Sequence, residues 1–309
     1  MTKTTSIAMA SYNGESYIRA QINSLINQSH AFDELIIVDD CSTDTTRDII
    51  NSFSDDKRIK LIKNNINKGV IFSFEKALKN CSGDFILLCD QDDYWFENKI
   101  EVLIANISKY SLIYSNVYLL GNSIKDKRLS FKSLNPIFSI DSNNKEFHRH
   151  LIFNSFVLGC SVMFKKEVLE LALPILKSER NHDWWLVLCA SVQNGVKYIN
   201  EPLMHYRIHS NNLSINNNSS LFYKFSALLN HKRSIQTKNK HEIIKIAITK
   251  FKDKIHDFKF YKLCLKHITS FEKITFKRFF YTIQLRKYLF PHVNETKRIV
   301  LSIINSIIS

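Results

Sequence analysis

The sequence predicts an α/β domain with a mostly parallel central sheet, helices on both faces, and a C-terminal helical extension. Three observations carry this. Short apolar runs alternate with segments of helical period through the first 110 residues, the pattern of a parallel sheet with helical crossovers. The run Phe85 to Cys89 has the length and bulk of a buried strand, and it stops abruptly at Asp90, Asp92 and Asp93. Polar residues cluster where each run ends, and parallel strands bring such ends to one edge, where open α/β sheets bind ligands.

The elements follow in order. Ser6 to Ala10 is the first strand, broken by the turn chemistry of Ser11-Tyr-Asn-Gly14. Ile18, Ile22, Leu25 and Ile26 share one face of a helix running to about Gln28. Leu35 to Val38 is the second strand, ending at Asp39 and Asp40. Ser42-Thr-Asp44 then offers an N-cap for a helix to about Phe53. Ile59 to Ile62 is the third strand, Asn64 to Gly69 a loop, and Val70 to Asn80 a third helix. Phe85 to Cys89 is the fourth strand, and a helix from Glu97 to Tyr110 follows. Leu112 to Leu120 is strand-like, and 121–147 is polar and irregular. Phe156 to Phe164 reads as another buried strand, with Gly159 where backbone approaches a ligand. A helix is expected from Lys166 to Leu173, another opening on His182-Asp-Trp-Trp185, and a short strand from Val196 to Ile199.

With 309 residues, 45% of them apolar, the chain accommodates a large domain plus an appendage. No apolar run reaches the roughly 18 residues of a transmembrane helix. Met1 to Thr5 lead into a strand without an h-region, so no secretory signal is expected. Six cysteines without a C-x-x-C pair suit a reduced, cytoplasmic protein better than a disulfide framework or a zinc site.

The charge is uneven. Residues 1–220 hold 24 Lys and Arg against 24 Asp and Glu, whereas 221–309 hold 19 against 5, so the whole net +14 lies in the tail. The expected organisation is a first domain over 1–212, a polar linker over 213–220 and a basic helical region over 221–309. That region breaks near Ser270 and Pro291 and ends in a helix from Glu295 to Ile308 with an apolar stripe. Such a tail suits an anionic surface, and packing on the main domain or a partner chain is the alternative.

Two acids separated by one residue, Asp90 and Asp92, suit a hard divalent cation, which also takes phosphate oxygens. An acidic turn capping the next helix is the alternative. Ala10-Ser-Tyr-Asn13, Val38-Asp-Asp-Cys-Ser-Thr-Asp44, Asn67-Lys-Gly69, Asp90-Gln-Asp-Asp93 and His182-Asp-Trp-Trp185 occur in this order. The ordered set closely resembles the inverting glycosyltransferases of family 2, which have the GT-A fold. Residues 182–212 are most similar to the bacterial rhamnosyltransferase-like and O-antigen or capsule branch; the resemblance spans about 5–212.

The resemblance implies that Tyr12 packs on the nucleotide base and Asp40 contacts it. Ala10 and Lys68 are placed in the same nucleotide-sugar site; Lys68 suits pairing with the diphosphate, and a solvated lysine is the alternative. Asp90 and Asp92 match the D-x-D pair that binds ribose and the metal, Mg²⁺ or Mn²⁺. His209 falls where some GT-A enzymes place a further metal or phosphate ligand. Asp183 matches the general base. The implied donor is a UDP- or dTDP-sugar, and the implied acceptor is a growing surface glycan, lipid-diphosphate-linked, on the cytoplasmic face of the cell membrane.

Other roles stand beside these. Asp183 is also a plausible helix N-cap, and His182 an alternative base. Trp184 and Trp185 suit an acceptor sugar, although adjacent helical residues point apart, which favours the core for at least one. Asp39 suits fixing its turn, Asp93 capping the next helix, and His205 a structural place. Arg207 suits a phosphate or a bridge to an acid. A sugar-phosphate nucleotidyltransferase would need a basic Gly-rich loop after the first strand, and no Lys or Arg occurs between Tyr12 and Arg19. The basic balance also raises nucleic-acid binding, but the basic residues sit apart from the acids and form no recognition motif.

Overall fold

The computed structural model describes residues 3–121, 124–129, 145–153, 157–176, 182–209, 245–251, 258–269 and 276–289, with isolated positions 295, 298, 301 and 302. Two compact units result. The first holds the described residues up to 129 together with 157–176 and 182–209. The second holds 145–153 and the described residues from 245 onward.

The first unit opens with β1 (Thr5–Ser11), α1 (Ile18–Ile26), β2 (Glu34–Asp39), α2 (Thr46–Asn51), β3 (Ile59–Lys63), α3 (Val70–Asn80) and β4 (Phe85–Asp90). The chain continues through β5 (Tyr94–Trp95), α4 (Lys99–Ile107), β6 (Leu112–Gly121), β7 (Ile124–Leu129) and α5 (Lys145–Phe153), which groups with the second unit. A 3-10 turn (Gly159–Ser161), β8 (Val162–Lys165), α6 (Val168–Ala172), α7 (His182–Ser191) and β9 (Val196–Arg207) complete the first.

The sheet runs β3-β2-β1-β4-β8-β6-β9-β5, with β7 also on β6. The first four strands pair in parallel, as their alternation with helices requires. Met9, Ile37, Leu87 and their neighbours on β1, β2 and β4 are fully or almost fully buried, so these strands read as continuous apolar runs. β8 lies antiparallel between β4 and β6, and β9 runs parallel to β6.

Three expectations change. Phe156 to Phe164 is not one strand: the Leu158 carbonyl accepts the Ser161 N–H and hydroxyl at 3.0 and 2.8 Å, closing a turn before Val162 starts β8. The strand expected over Val196 to Ile199 extends to Arg207, with register shifts beside Ser115 and Asn116. The irregular 121–147 stretch contains β7 and the start of α5. The linker 213–220, the breaks at Ser270 and Pro291, and most of the final helix lie outside the described residues.

In the second unit, α5, α8 (Phe258–Thr269) and α9 (Phe276–Leu289) meet at Tyr288. Arg149 donates to its hydroxyl at 3.2 Å, and the Phe260 and His150 rings pack edge-on against it. On α8, Phe260, Cys264 and His267 are buried, while Lys259, Lys262 and Lys266 are exposed. Those two sets follow helical spacing on separate faces.

Candidate active site

Parallel register brings the ends of three strands level. Ala10 on β1 lies opposite both Val38 on β2 and Asp90 on β4. The chain after each strand therefore emerges at the same edge, and Tyr12, Asp40 and Asp90 stand near one another there although distant in sequence.

The loop after β1 is clamped to the acidic turn by Gln91. The Tyr12 N–H donates to Gln91 Oε1 at 2.9 Å, and Gln91 Nε2 donates to the Tyr12 carbonyl at 3.0 Å. The Tyr12 ring itself stays exposed. A Cβ at Gly14 would come within 2.2 Å of Gln91 Oε1, so glycine makes room for the clamp. Sequence reasoning passed over Gln91, because an amide between two carboxylates carries no signal of its own.

The two acids after β2 divide their work. Asp39 is fully buried and accepts from Arg47 Nε and Ser42 Oγ, each at 2.5 Å, and from the Ser42 N–H. It fixes the turn. Asp40 accepts from Asn64 Nδ2 at 2.8 Å and from the Lys68 and Gly69 N–H groups at 2.9 and 2.7 Å. It thereby organises the 64–69 loop and the start of α3, where Gly69 holds φ +87. A carboxylate offers about four acceptor positions, so one remains. Lys68 serves Asp40 through its backbone, and its ammonium lies over the Phe72 ring at 4.4 Å.

The turn after β4 is stitched to the end of β9. Asp92 Oδ2 lies 2.8 Å from His209 Nε2. His209 stacks on Tyr17 at 5.0 Å, and the Arg207 guanidinium lies over the Tyr17 ring, 4.8 Å from its centre. Arg207 Nε donates to the Asp92 carbonyl oxygen at 2.8 Å, and its backbone N–H donates to Asp93 Oδ1 at 3.1 Å. Arg207 thus bridges to the acidic turn. His205 packs among Tyr94, Phe96 and Tyr118, a structural place.

Asp93 does not cap the next helix. It is fully buried, and Asn98 stands at the N-cap of α4 without a side-chain bond. Burial, then the Asp90 and Asp92 charges, push the Asp93 carboxyl well above its ordinary range. Lys99 is also fully buried, with its ammonium 2.6 Å from the Cys160 carbonyl oxygen and 3.5 Å from the Trp95 ring centre. Its burial was foreseeable, since Lys99 stands four and eight residues before Leu103 and Ile107, on the apolar face of α4.

Asp183 opens α7. Its Oδ1 accepts the Trp184 N–H at 2.7 Å and its Oδ2 accepts the Gly159 N–H at 3.2 Å. A Cβ at Gly159 would lie 3.0 Å from Asp183 Cβ, so Gly159 meets the carboxylate rather than a ligand directly. Surrounding protein desolvates the group, and burial pushes its pKa up to about 6, with hydrogen bonds from Trp184 and Gly159 opposing. Asp90 is raised by burial and then by the charges of Asp92 and Asp183, so these three carboxylates occupy one electrostatic neighbourhood.

His182 is a poor base. It is buried, stacked on Phe74 at 3.9 Å, and burial pushes its pKa down to about 3. A base works best with a pKa near the operating pH, which favours Asp183. Trp184 and Trp185 are both buried, and the Trp185 indole donates to the Ala172 carbonyl.

Among the described residues, two groupings of metal-ligating atoms stand out. Ligand atoms of Asp90, Asp93 and Cys160 lie within 4.8 Å of one another. Burial keeps the Cys160 thiol protonated, and the Lys99 ammonium is hydrogen-bonded to the same residue. Neither suits a hard cation, which prefers ionised oxygen ligands. The Asp92 carboxylate, 2.8 Å from the His209 imidazole, supplies the oxygen ligand that suits Mg²⁺ or Mn²⁺.

The same architecture occurs in solved glycosyltransferases. Staphylococcus aureus TarS 1–349, crystallised with UDP-GlcNAc, superposes with a TM-score of 0.63 at 16% identity, covering 98% of this chain and 89% of that one. A Pyrobaculum calidifontis mannosyltransferase crystallised with GDP-Man and Mn²⁺ gives 0.53 at 12% identity, covering 99% and 87%. The fold is that of the GT-A glycosyltransferases. The Glycosyl transferase family 2 profile matches residues 6–171. The Escherichia coli UDP-Glc:alpha-D-GlcNAc-diphosphoundecaprenol beta-1,3-glucosyltransferase WfaP is 31% identical over 245 residues, covering 77% of this chain and 89% of its own. The Shigella flexneri dTDP-rhamnosyl transferase RfbG is 29% identical over 218 residues, covering 66% and 72%. The chain belongs to glycosyltransferase family 2 and is a glycosyltransferase enzyme. That assignment sets aside the nucleotidyltransferase reading.

Proposed function

We propose that this enzyme moves one sugar, with inversion, from a UDP- or dTDP-sugar to a hydroxyl of a growing surface glycan linked to a lipid diphosphate. The observation that carries this reading is the shared neighbourhood of Asp90, Asp92 and Asp183, in which Asp183 is held at about 6. The relatives' names support the donor and acceptor classes: WfaP takes UDP-Glc and a diphosphoundecaprenol acceptor, and RfbG is a dTDP-rhamnosyl transferase.

Ala10, Tyr12, Asp40 and Lys68 line the nucleotide end in this proposal. The exposed Tyr12 ring offers a face to the base, and Asp40 retains one acceptor position for it. Asp90 takes the ribose. Asp92 and His209 would hold Mg²⁺ or Mn²⁺, which when bound supplies Lewis-acid stabilisation of the leaving diphosphate. Asp183 accepts the proton of the acceptor hydroxyl as that oxygen bonds to the anomeric carbon, and the glycosyl–phosphate bond breaks on the opposite face. General-base catalysis of this kind contributes about 10²- to 10⁴-fold.

In this proposal the catalytic domain spans 1–212, of which α5 groups with the second unit, and 221–309 faces the membrane. Among the described residues, the exposed Lys259, Lys262 and Lys266 stripe on α8 supports contact with an anionic inner-leaflet surface. No described helix is long and apolar enough to cross a membrane. Each lysine near such a surface contributes roughly 1 kcal/mol. Replacing all three with Gln should weaken sedimentation with phosphatidylglycerol vesicles by on the order of a hundredfold. Unchanged binding at low salt would remove α8 from the membrane reading.

The direct trial is a panel of nucleotide sugars with Mn²⁺ and a synthetic polyprenyl-diphosphate saccharide acceptor. Acceptor-dependent release of UDP or dTDP is expected, with an inverted linkage by NMR. Retention of configuration would overturn the mechanism.

A further inference from the structure

We infer that Lys99 is a positioning residue for Asp183, acting through the 159–161 turn that carries the hydrogen-bond donor for that carboxylate. The inference rests on the proposed role of Asp183 as the base.

The buried ammonium of Lys99 needs compensation, because an ion without partners is costly in a protein interior. Its neighbours come from separate segments. Nζ donates to the Cys160 carbonyl oxygen at 2.6 Å, lies 3.3 Å from Met204 Sδ on β9, and faces the Trp95 ring at 3.5 Å. No carboxylate lies within ion-pair distance among the described residues, although Asp90 and Asp93 act on it electrostatically from the turn after β4.

Cys160 is the middle residue of the 3-10 turn Gly159–Ser161. The residue before it, Gly159, gives its N–H to Asp183 Oδ2 and has no side chain to push that carboxylate away. Lys99 therefore pins the carbonyl on one side of the turn while the amide on the other side holds the base. The buried cation also interacts electrostatically with Asp93 and Asp90 in the acidic turn. A displacement of about 1 Å in a reacting group can cost on the order of a hundredfold in rate, which makes such a tether consequential.

The groups facing Lys99 are Asp90 and Asp93, with the Cys89 and Cys160 thiols. Asp183 is faced by Asp90 and by the Gly159 and Trp184 amides. The Gly159 bond favours the ionised carboxylate. Loosening the turn weakens that bond, so the Asp183 pKa should rise and the acid limb of turnover should move to higher pH.

Two variants separate the contributions. Lys99→Met keeps most of the length of the side chain in an apolar setting and removes both charge and donor. Lys99→Gln keeps a donor for the Cys160 carbonyl. With saturating donor, Lys99→Met should lose about 10- to 100-fold in kcat. Its KM for the donor should hardly change, and its acid limb should shift upward. Lys99→Gln should recover part of both effects. A purely structural lysine would lower Tm and the active fraction without moving the limb or separating the two variants. If soluble Lys99→Met keeps the wild-type kcat and acid limb while Asp183→Asn is inactive, the inference falls and the base assignment stands. If Asp183→Asn turns over normally, the base assignment itself has failed.

Discussion

Asp183→Asn should reduce turnover by about 10²- to 10⁴-fold with the donor KM little changed. The substitution removes the proton acceptor and one of its two backbone hydrogen bonds. The single asparagine oxygen can keep the shorter Trp184 N–H bond, while its amide nitrogen replaces the oxygen that accepts the Gly159 N–H. The fold should survive, so a circular-dichroism spectrum matching the wild type is part of the expected result. The wild-type profile carries a second signature. Burial holds the Asp183 pKa at about 6, and only the ionised form accepts a proton, so kcat should fall as pH drops through that region. The residual activity of the Asn variant should lack that limb. Unchanged turnover, or an acid limb that persists in the variant, would remove Asp183 as the base. His182 would not be its natural replacement, because burial depresses its pKa to about 3.

Asp92→Ala is expected to cost on the order of a thousandfold, since Lewis-acid stabilisation of a leaving diphosphate amounts to several kcal/mol. The loss should be specific to the cation. Arg207 Nε binds the Asp92 carbonyl oxygen rather than its carboxylate, so the connection between the turn and β9 survives the substitution. Titration with Mn²⁺ is the measurement. The wild type should show saturable activation, and Asp92→Ala should show none in the same range. His209→Gln should need more Mn²⁺ and recover part of the activity, because the carboxylate remains. Normal activation of Asp92→Ala would transfer the metal role to Asp90, Asp93 or another group.

Much of this was readable before any coordinates. β1 to β4 follow the apolar runs, and α1 and α3 follow their helical periods within a few residues. The level placement of Ala10, Val38 and Asp90 follows directly from four parallel strands. The reading was poorer where the neighbour that decides conformation is distant. Phe156 to Phe164 has strand-like composition, yet its first half turns because the 159–161 backbone carries both the Lys99 contact and the Asp183 contact. Asp93 looks like any helix-capping acid, and its burial depends on the arrival of Arg207 from the end of β9.

Period and composition were sufficient for the strand–helix alternation and for the edge where the carboxylates gather. Those properties are local, and parallel strands must finish on a common side. The working geometry was different in kind. Gln91 meets Tyr12 across 79 positions, Gly159 meets Asp183 across 24, and Lys99 meets Met204 across 105. Nothing in a short window of residues favours those meetings. They exist because packing the sheet buries a cation and several acids together, and buried polar groups must find partners wherever the chain supplies them.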